Sequence, residues 1–173
     1  MKIKKLYLTF SLIVLVATIS NAQTNFKTLL KDFQKMSGSW KGSLTYLDYS
    51  SGKPYTMPAD IEIERINKTN KFKLSNMYPN ETNANSIDTV TISTDGKYID
   101  QELVKSRRRL PSGDIEIITE EKGKDGNDNK PAILRHTYIF GKTIFKKRKD
   151  IQFVGDSKWI NRHEYAYTKK PSA

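Results

Sequence analysis

The chain has no cysteine and only two histidines, His136 and His163, among its 173 residues. The lack of cysteine excludes disulfides, thiol nucleophiles and anchoring through a lipid-modified cysteine. Serine-hydrolase chemistry would have to use one of the two histidines as base, and the sequence has no Gly-x-Ser-x-Gly elbow. Packing rather than covalent cross-links must therefore stabilise the fold.

Long apolar runs are also scarce, and the clearest one covers residues 6–19 at the start of the chain. Lys2, Lys4 and Lys5 precede it, and Ser20-Asn21-Ala22 follows it with a small-polar-small pattern. A run of about 14 residues is too short to cross a ~30 Å hydrocarbon layer comfortably, and the pattern is typical of a cleaved signal peptide. We expect a signal peptide over residues 1–22 and export to the periplasm or beyond the cell.

The expected mature domain, residues 23–173, has 173 − 22 = 151 residues and a formal charge of 27 − 19 = +8. A chain of this length suits one domain that buries roughly 70% of its unfolded surface. Apolar residues at helical spacing predict one helix over residues 26–36. They are Phe26, Leu29, Leu30, Phe33 and Met36.

Alternating patterns after the helix predict nine or ten strands with short connections and no crossover helix. The predicted strands cover residues 40–49, 59–64, 71–74, 89–93, 98–107, 114–119, 132–140, 143–153 and 159–168. Such strands form an antiparallel meander. We expect it to close into an up-and-down β-barrel, because closure removes the exposed edges, and a sandwich is the structural alternative.

The string Gly38-Ser39-Trp40, directly after the helix and followed by Gly42, resembles the start of the lipocalin-like (calycin) barrels. The resemblance implies that Trp40 closes one end of the barrel beneath the N-terminal helix. It also implies that a cation from the last strand packs over the indole, and Arg162 is the matching position. Gly38, Trp40, Gly42 and Arg162 are thus the expected barrel-closing residues.

The same Gly-x-Trp-x-Gly string is similar to the opening of nitrobindin-like haem barrels. That resemblance implies haem bound through a histidine near the chain end, which could only be His163 here. The remaining glycines of that motif are missing over residues 43–48. Haem is accordingly an alternative, and the main expectation is a protein without a cofactor.

The predicted strand over residues 132–140 has two faces, one of which must line the barrel. We expect Leu134, His136, Tyr138 and Phe140 to line it and to bind a ligand, since they combine apolar bulk with two polar tips. The leading functional hypothesis is non-enzymatic binding of a small apolar or amphipathic molecule. A hydrolase or isomerase on the same barrel is the alternative. In the last strand, regular alternation places Arg162 and His163 on opposite faces.

Basic clusters over residues 105–109 and 146–149 suggest an anionic envelope partner as a third possibility. Lys146 and Arg148 fall on one face of a regular strand and Lys147 and Lys149 on the other. Nucleic acid is not expected, because aromatic residues are not interleaved with these cations.

Asp125, Asn127 and Asn129 imitate the start of a calcium loop. Lys130 and His136 stand where that loop needs glycine and glutamate, so we expect a polar hairpin and no metal.

The signal peptide is testable directly. N-terminal sequencing of the exported protein should begin at Gln23, because cleavage is expected after Ala22. Retention of residues 1–22 on exported material would contradict this expectation.

Overall fold

The computed structural model describes residues 26–48 and 51–170, which form one helix, a 3-10 turn and eleven strands. The expected signal peptide lies outside these residues. No helix within them is both long and apolar enough to cross a membrane. The elements are α1 (Phe26–Lys35), β1 (Gly38–Leu47), β2 (Pro54–Pro58), β3 (Asp60–Arg65), β4 (Lys71–Met77), the 3-10 turn Thr82–Ala84, β5 (Ser86–Thr91), β6 (Tyr98–Ile99), β7 (Glu102–Arg109), β8 (Ile115–Asp125), β9 (Lys130–Phe140), β10 (Ile144–Phe153) and β11 (Ile160–Lys169).

The strands form one antiparallel sheet in the order β5-β4-β3-β1-β11-β10-β9-β8-β7-β6, with β2 paired to β1 beside this path. β1 pairs with β11, so the first and last strands of the meander meet. An isolated bridge between Ile92 and Ile99 joins the two remaining edges at one point. The sheet is therefore a nearly closed antiparallel barrel, as predicted.

The helix α1 closes one end of this barrel. Leu29, Phe33 and Met36 are buried on its inner side and belong to the same apolar cluster as Phe72 and Phe140. The helix ends where Gly38 adopts a φ of +119°, a conformation that side-chain-bearing residues rarely adopt. The chain can thus reverse from the helix directly into β1.

Trp40 is the next inward residue after this turn, and its side chain is fully buried. Its indole N–H donates a 2.8 Å hydrogen bond to the carbonyl of Met36, the residue directly after α1. This bond satisfies a carbonyl that a helix end leaves without a partner. Gly42 lies opposite Tyr167 in β11, and a Cβ there would come within 2.3 Å of the Ala166 carbonyl. Glycine is therefore required for the close approach of β1 and β11.

The expectation that Arg162 packs over Trp40 is wrong. Lys169 is the cation above the indole, with its Nζ 5.2 Å from the ring centroid, and it pairs directly with Trp40 in the β1–β11 register. Arg162 lies seven residues earlier on β11. At about 3.3 Å per residue this separation is about 23 Å, beyond any contact. The last strand therefore does supply a cation to the indole, but from its end at Lys169.

Two differences from the predicted strands raise the number of strands to eleven. β2 lies outside the predicted strands; prolines begin and end it, and it pairs only with β1. The single strand predicted over residues 98–107 is divided into β6 and β7 by a tight turn at Asp100, whose φ is +54°. Aspartate tolerates this conformation better than most residues, but its sequence context resembles a strand.

The closure of the barrel leads to a test by paired substitutions. Trp40→Ala should destabilise the protein by about 3–5 kcal/mol, because it empties a packed site and removes a hydrogen bond. Lys169→Met, which keeps most of the aliphatic stem, should cost about 0.5–1 kcal/mol. The two effects should be non-additive in urea denaturation, since the side chains share one contact.

Arg162→Met is the matched control on the same strand. Its effect should add to that of Trp40→Ala, because the two sites are far apart. Coupling of Trp40 to Arg162 instead of Lys169, or a harmless Trp40→Ala, would contradict this view of the closed end.

Candidate functional site

A cavity of about 520 Å³ lies inside the barrel, beyond the apolar cluster that packs against α1. Residues of β3, β4, β5, β10 and β11 and the turn before β7 form its walls. They are Ile61, Leu74, Asn76, Tyr78, Ser86, Asp88, Thr89, Val90, Asp100, Phe145, Lys147, Tyr165 and Tyr167. This volume lies within the range of about 300–1,000 Å³ that is usual for small-molecule sites.

The cavity walls change in polarity along the barrel. On β10, Phe145 is buried in the apolar cluster, and Lys147, the next inward residue, lines the cavity. On β4, the sequence of inward residues is Phe72, Leu74 and then Asn76. The interior thus passes from hydrocarbon near the helix to charged and amide groups farther along, which suits a ligand with an apolar body and a polar group.

Lys147 is the only lysine among the residues that line this cavity. It pairs with Tyr138 on β9 and Tyr165 on β11, so these two rings flank it inside the barrel. Its Nζ lies 5.8 Å from the centroid of Tyr138. Burial lowers the pKa of Lys147, although the charges of Glu102, Asp100 and Asp88 act in the opposite direction.

Burial also raises the pKa values of other groups in the cavity wall. The pKa of Asp100 is raised because burial outweighs the hydrogen bond that its Oδ1 accepts from the Thr91 amide. Burial also raises the pKa of Tyr165 far above its usual range, assisted by a 2.9 Å hydrogen bond between the Tyr165 and Tyr78 hydroxyls. Both tyrosine hydroxyls stand at the cavity wall, where a hydroxyl can donate or accept a hydrogen bond.

A second polar group lies on neighbouring strands β7, β8 and β9. His136 Nδ1 is 2.7 Å from Glu102 Oε1, and the hydroxyl of the fully buried Thr119 donates to Glu102 Oε2. Burial alone would raise the pKa of Glu102, but the contacts with His136 and Thr119 lower it overall. Glu102 is therefore a stable carboxylate, and its charge also acts on Lys147.

A third polar group contains Asp125, Lys149, Arg162 and His163. Asp125 lies 3.1 Å from Lys149 Nζ and 2.9 Å from Arg162 Nε. The β10–β11 register shifts between Lys149 and Asp150, and Arg162 is the extra residue of this β-bulge. A bulge interrupts the alternation of faces, so Arg162 and His163 are both interior residues. The prediction that they lie on opposite faces is wrong for this reason.

The predicted ligand-binding residues lie on the inner face of β9. Tyr138 and Phe140 are buried and pack against Phe33 of α1, and His136 contacts Glu102. The choice of face is thus correct. However, Leu134, His136, Tyr138 and Phe140 are not among the residues that form the walls of the 520 Å³ cavity. Whether any of them binds a ligand stays a prediction.

Sequence reasoning missed the polar residues that do line the cavity, namely Asn76, Asp88, Asp100 and Lys147. Asp88 lies outside the predicted strands, so strand alternation did not place its side chain on the inner face. Lys147 did carry a signal, because strand alternation separates it from Lys146 and Arg148. The structure confirms that separation: Lys146 and Arg148 pair on the outer face with Glu164 and Asp150.

The basic clusters therefore do not form continuous cationic surfaces. Lys147 and Lys149 lie inside the barrel. In the other cluster, Arg107 pairs with the buried Asp32 and Arg108 with Glu116. An outer cleft of about 480 Å³ beside the helix end contains Lys35, Arg109, Lys142 and Lys169, with Asp114 as the one acidic residue of its lining.

Asp125, Asn127 and Asn129, which imitate the start of a calcium loop, lie at the end of β8 and in the hairpin turn that follows it. Among the described residues, no group of three or more histidine, aspartate or glutamate side chains is arranged to hold an ion. Asp125 is the last residue of β8, and its carboxylate is already paired with two cations. Residues 126–129 form the hairpin turn between β8 and β9.

Comparisons with known proteins give a fold likeness and no family. No family model matches the sequence, and no curated protein matches it. Among solved structures, the chain is similar to the crystal structure of Rv2717c from M. tuberculosis, with 13% identity and a TM-score of 0.49. That match covers 82% of this chain and 97% of the other.

The buried His163 predicts a defined pH dependence of stability. Burial, with smaller effects of His136, Lys147 and Lys149, lowers its pKa from 6.5 to about 4. In the unfolded chain, whose histidine has a pKa near 6.5, this side chain binds a proton at a pH where the folded chain does not. Stability from this group is therefore complete above about pH 6.5 and is lost as the pH falls toward 4.

Urea denaturation of the native protein and of His163→Gln between about pH 8 and 5 measures this effect. The decrease of stability with falling pH should be smaller in the variant. The difference at pH 8, where both side chains are neutral, reports packing alone and serves as the control. Equal decreases for the two proteins would show that His163 is not held neutral by its surroundings.

Proposed function

We propose that the protein is an exported, lipocalin-like barrel that binds one small amphipathic molecule without catalysing its conversion. The observation that carries the proposal is the 520 Å³ interior cavity, whose walls combine apolar side chains with a lysine, carboxylates and tyrosine hydroxyls. Concave sites of this kind bind a ligand through burial of its apolar surface and orient it through a few polar contacts.

The wall polarity favours an amphipathic ligand over a purely apolar one. Ile61, Leu74, Val90 and Phe145 would contact hydrocarbon, and burial of each CH₂ group is worth about 0.8 kcal/mol. Desolvating Lys147 and Asp88 against hydrocarbon would cost free energy, since polar groups need partners when water is displaced. A ligand that supplies a polar group at that position avoids this cost.

Haem is a second candidate, supported by the interior location of His163. Because its pKa is about 4, this imidazole is neutral at physiological pH and has a lone pair free of a proton. Neutral imidazole is the form that ligates iron. Haem and a small amphipathic molecule would give different spectra and masses, so one purification distinguishes them.

The expected result is a small molecule that remains with the protein purified from its own host. Native mass spectrometry with lipid extraction should identify it, and the absorption spectrum should lack a haem Soret band. Leu74→Trp, which fills the cavity, should abolish both the bound molecule and the fluorescence enhancement of anilinonaphthalene sulfonate.

Ile87→Trp is the matched control, because Ile87 lies on β5 next to Asp88 and is 73% exposed. This variant should retain both kinds of binding, and near-ultraviolet circular dichroism should show that both variants are folded. A Soret band lost in His163→Ala would establish the haem candidate instead. Absence of a bound molecule together with no effect of Leu74→Trp on the fluorescent probe would contradict cavity binding.

A further inference from the structure

Lys147 differs from the other interior lysine in having no close carboxylate. Lys149, two residues later on the same face of β10, lies 3.1 Å from Asp125. On the outer face, Lys146 lies 3.5 Å from Glu164. Lys147 forms no ion pair within 4.0 Å and no hydrogen bond through its Nζ in the described part of the chain. Its amine is inside the barrel and faces the cavity instead of a partner.

The surroundings of this amine lower its pKa and so increase the fraction of neutral amine. Two tyrosine rings flank it, and burial lowers its pKa despite three carboxylates that act at longer range. An ordinary lysine is well under about 1% free amine at neutral pH, because its pKa is near 10.4. Lysines desolvated in apolar pockets become nucleophiles for carbonyl compounds for this reason.

The cavity also holds a group that can donate a proton. Asp100 lies in the same wall as Lys147, and burial raises the pKa of its carboxyl. Loss of water from the addition product of an amine and a carbonyl needs an acid at the departing oxygen. Ile61, Leu74 and Val90 line the same space and would contact an apolar body attached to the carbonyl.

We propose that Lys147 forms an imine with an amphipathic aldehyde or ketone held in the barrel cavity. The neutral Nζ attacks the carbonyl carbon, an N–C bond forms as the C=O π bond opens, and one of the two Nζ protons passes to the carbonyl oxygen to give a carbinolamine. That hydroxyl then leaves as water after protonation, with Asp100 as the acid. The nitrogen loses its remaining proton to the regenerated carboxylate, so the products are one imine and one water and no redox reagent is needed.

This inference deepens the proposed function, since it rests on ligand entry into the same cavity. It predicts that the bound molecule is a carbonyl compound and that capture is reversible, because hydrolysis returns the free amine. It also assigns Lys147 to ligand recognition. Of the β9 residues that the sequence favoured for that role, Tyr138 and Phe140 lie in the neighbouring apolar cluster and His136 lies beside Glu102.

The test uses the folded protein with trans-cinnamaldehyde and sodium cyanoborohydride, which reduces an imine to a stable secondary amine. Intact mass spectrometry should show one addition equal to the aldehyde less one oxygen atom, and peptide mapping should place it on Lys147. At limiting aldehyde, we expect modification of Lys147 to exceed that of the outward Lys146 on the order of tenfold, because a lowered pKa increases the free amine.

Lys147→Arg keeps a cation of similar length but cannot form this imine, and Lys147→Met tests the site with a neutral side chain. Both should lose the specific modification. Lys149→Arg, which keeps the ion pair with Asp125, should be modified at Lys147 like the native protein. Cinnamyl alcohol, which has the same body without a carbonyl, should compete for the cavity and slow the modification.

Modification spread over outer lysines without preference for Lys147 would overturn the imine. If anilinonaphthalene sulfonate still bound in a manner sensitive to Leu74→Trp, cavity binding would stand and only the imine would fail. If that binding were also absent, the proposed function itself would fail. Selective modification that persisted at another residue in both Lys147 variants would likewise overturn the assignment.

Discussion

The hydrogen bond from the Trp40 indole to the Met36 carbonyl is the contact on which the architecture depends. It joins the end of α1 to the second inward position of β1, and the glycine turn at Gly38 makes this reach possible. The helix is thereby fixed over one end of the barrel, where Phe33 packs against rings from β4 and β9. Since an unpaired buried carbonyl is costly, the indole contributes both apolar area and a required donor.

Closure by hydrocarbon at one end allows the remaining interior to be polar. Burial of a charge costs several kcal/mol unless a partner is present, and most interior charges have one. Asp125 is paired with two cations, and Glu102 with Thr119 and His136. The apolar cluster near α1 supplies the stability that such groups do not. The polar groups of the interior therefore do not have to hold the barrel together.

Sequence patterns predicted the helix, most strands and the barrel, because alternation and short connections reflect one-dimensional rules. They failed where a local irregularity changes the face of a strand. The bulge at Arg162 brings this residue and His163 to the same side, and no composition signal marks it. The turn at Asp100 also places a carboxylate in the cavity wall from a segment that resembles continuous strand.

The candidate site was less predictable than the fold because it depends on which strands face one another across the barrel. Strand alternation places Lys147 on the opposite face from Lys146. It does not show that Lys147 shares a cavity with Asp88 and Asp100. Those residues lie 59 and 47 positions earlier in the chain and reach the site only when β5 and β10 face the same interior. Periodicity within a strand fixes the direction of a side chain. The opposite wall follows from barrel closure, which is set by the Ile92–Ile99 bridge and the β1–β11 pairing.

Lys147 and Lys149 differ in whether a close ion pair explains their charge. Both are inward residues of β10 with tyrosine or histidine partners on β11. Lys149 neutralises Asp125 and so satisfies a buried carboxylate, which is a sufficient structural reason for its charge. Within the described part of the chain, Lys147 has no close carboxylate to neutralise. An apolar residue at that position would remove the free-energy cost of desolvating a charge. We therefore relate the charge of Lys147 to the ligand that we propose for the cavity.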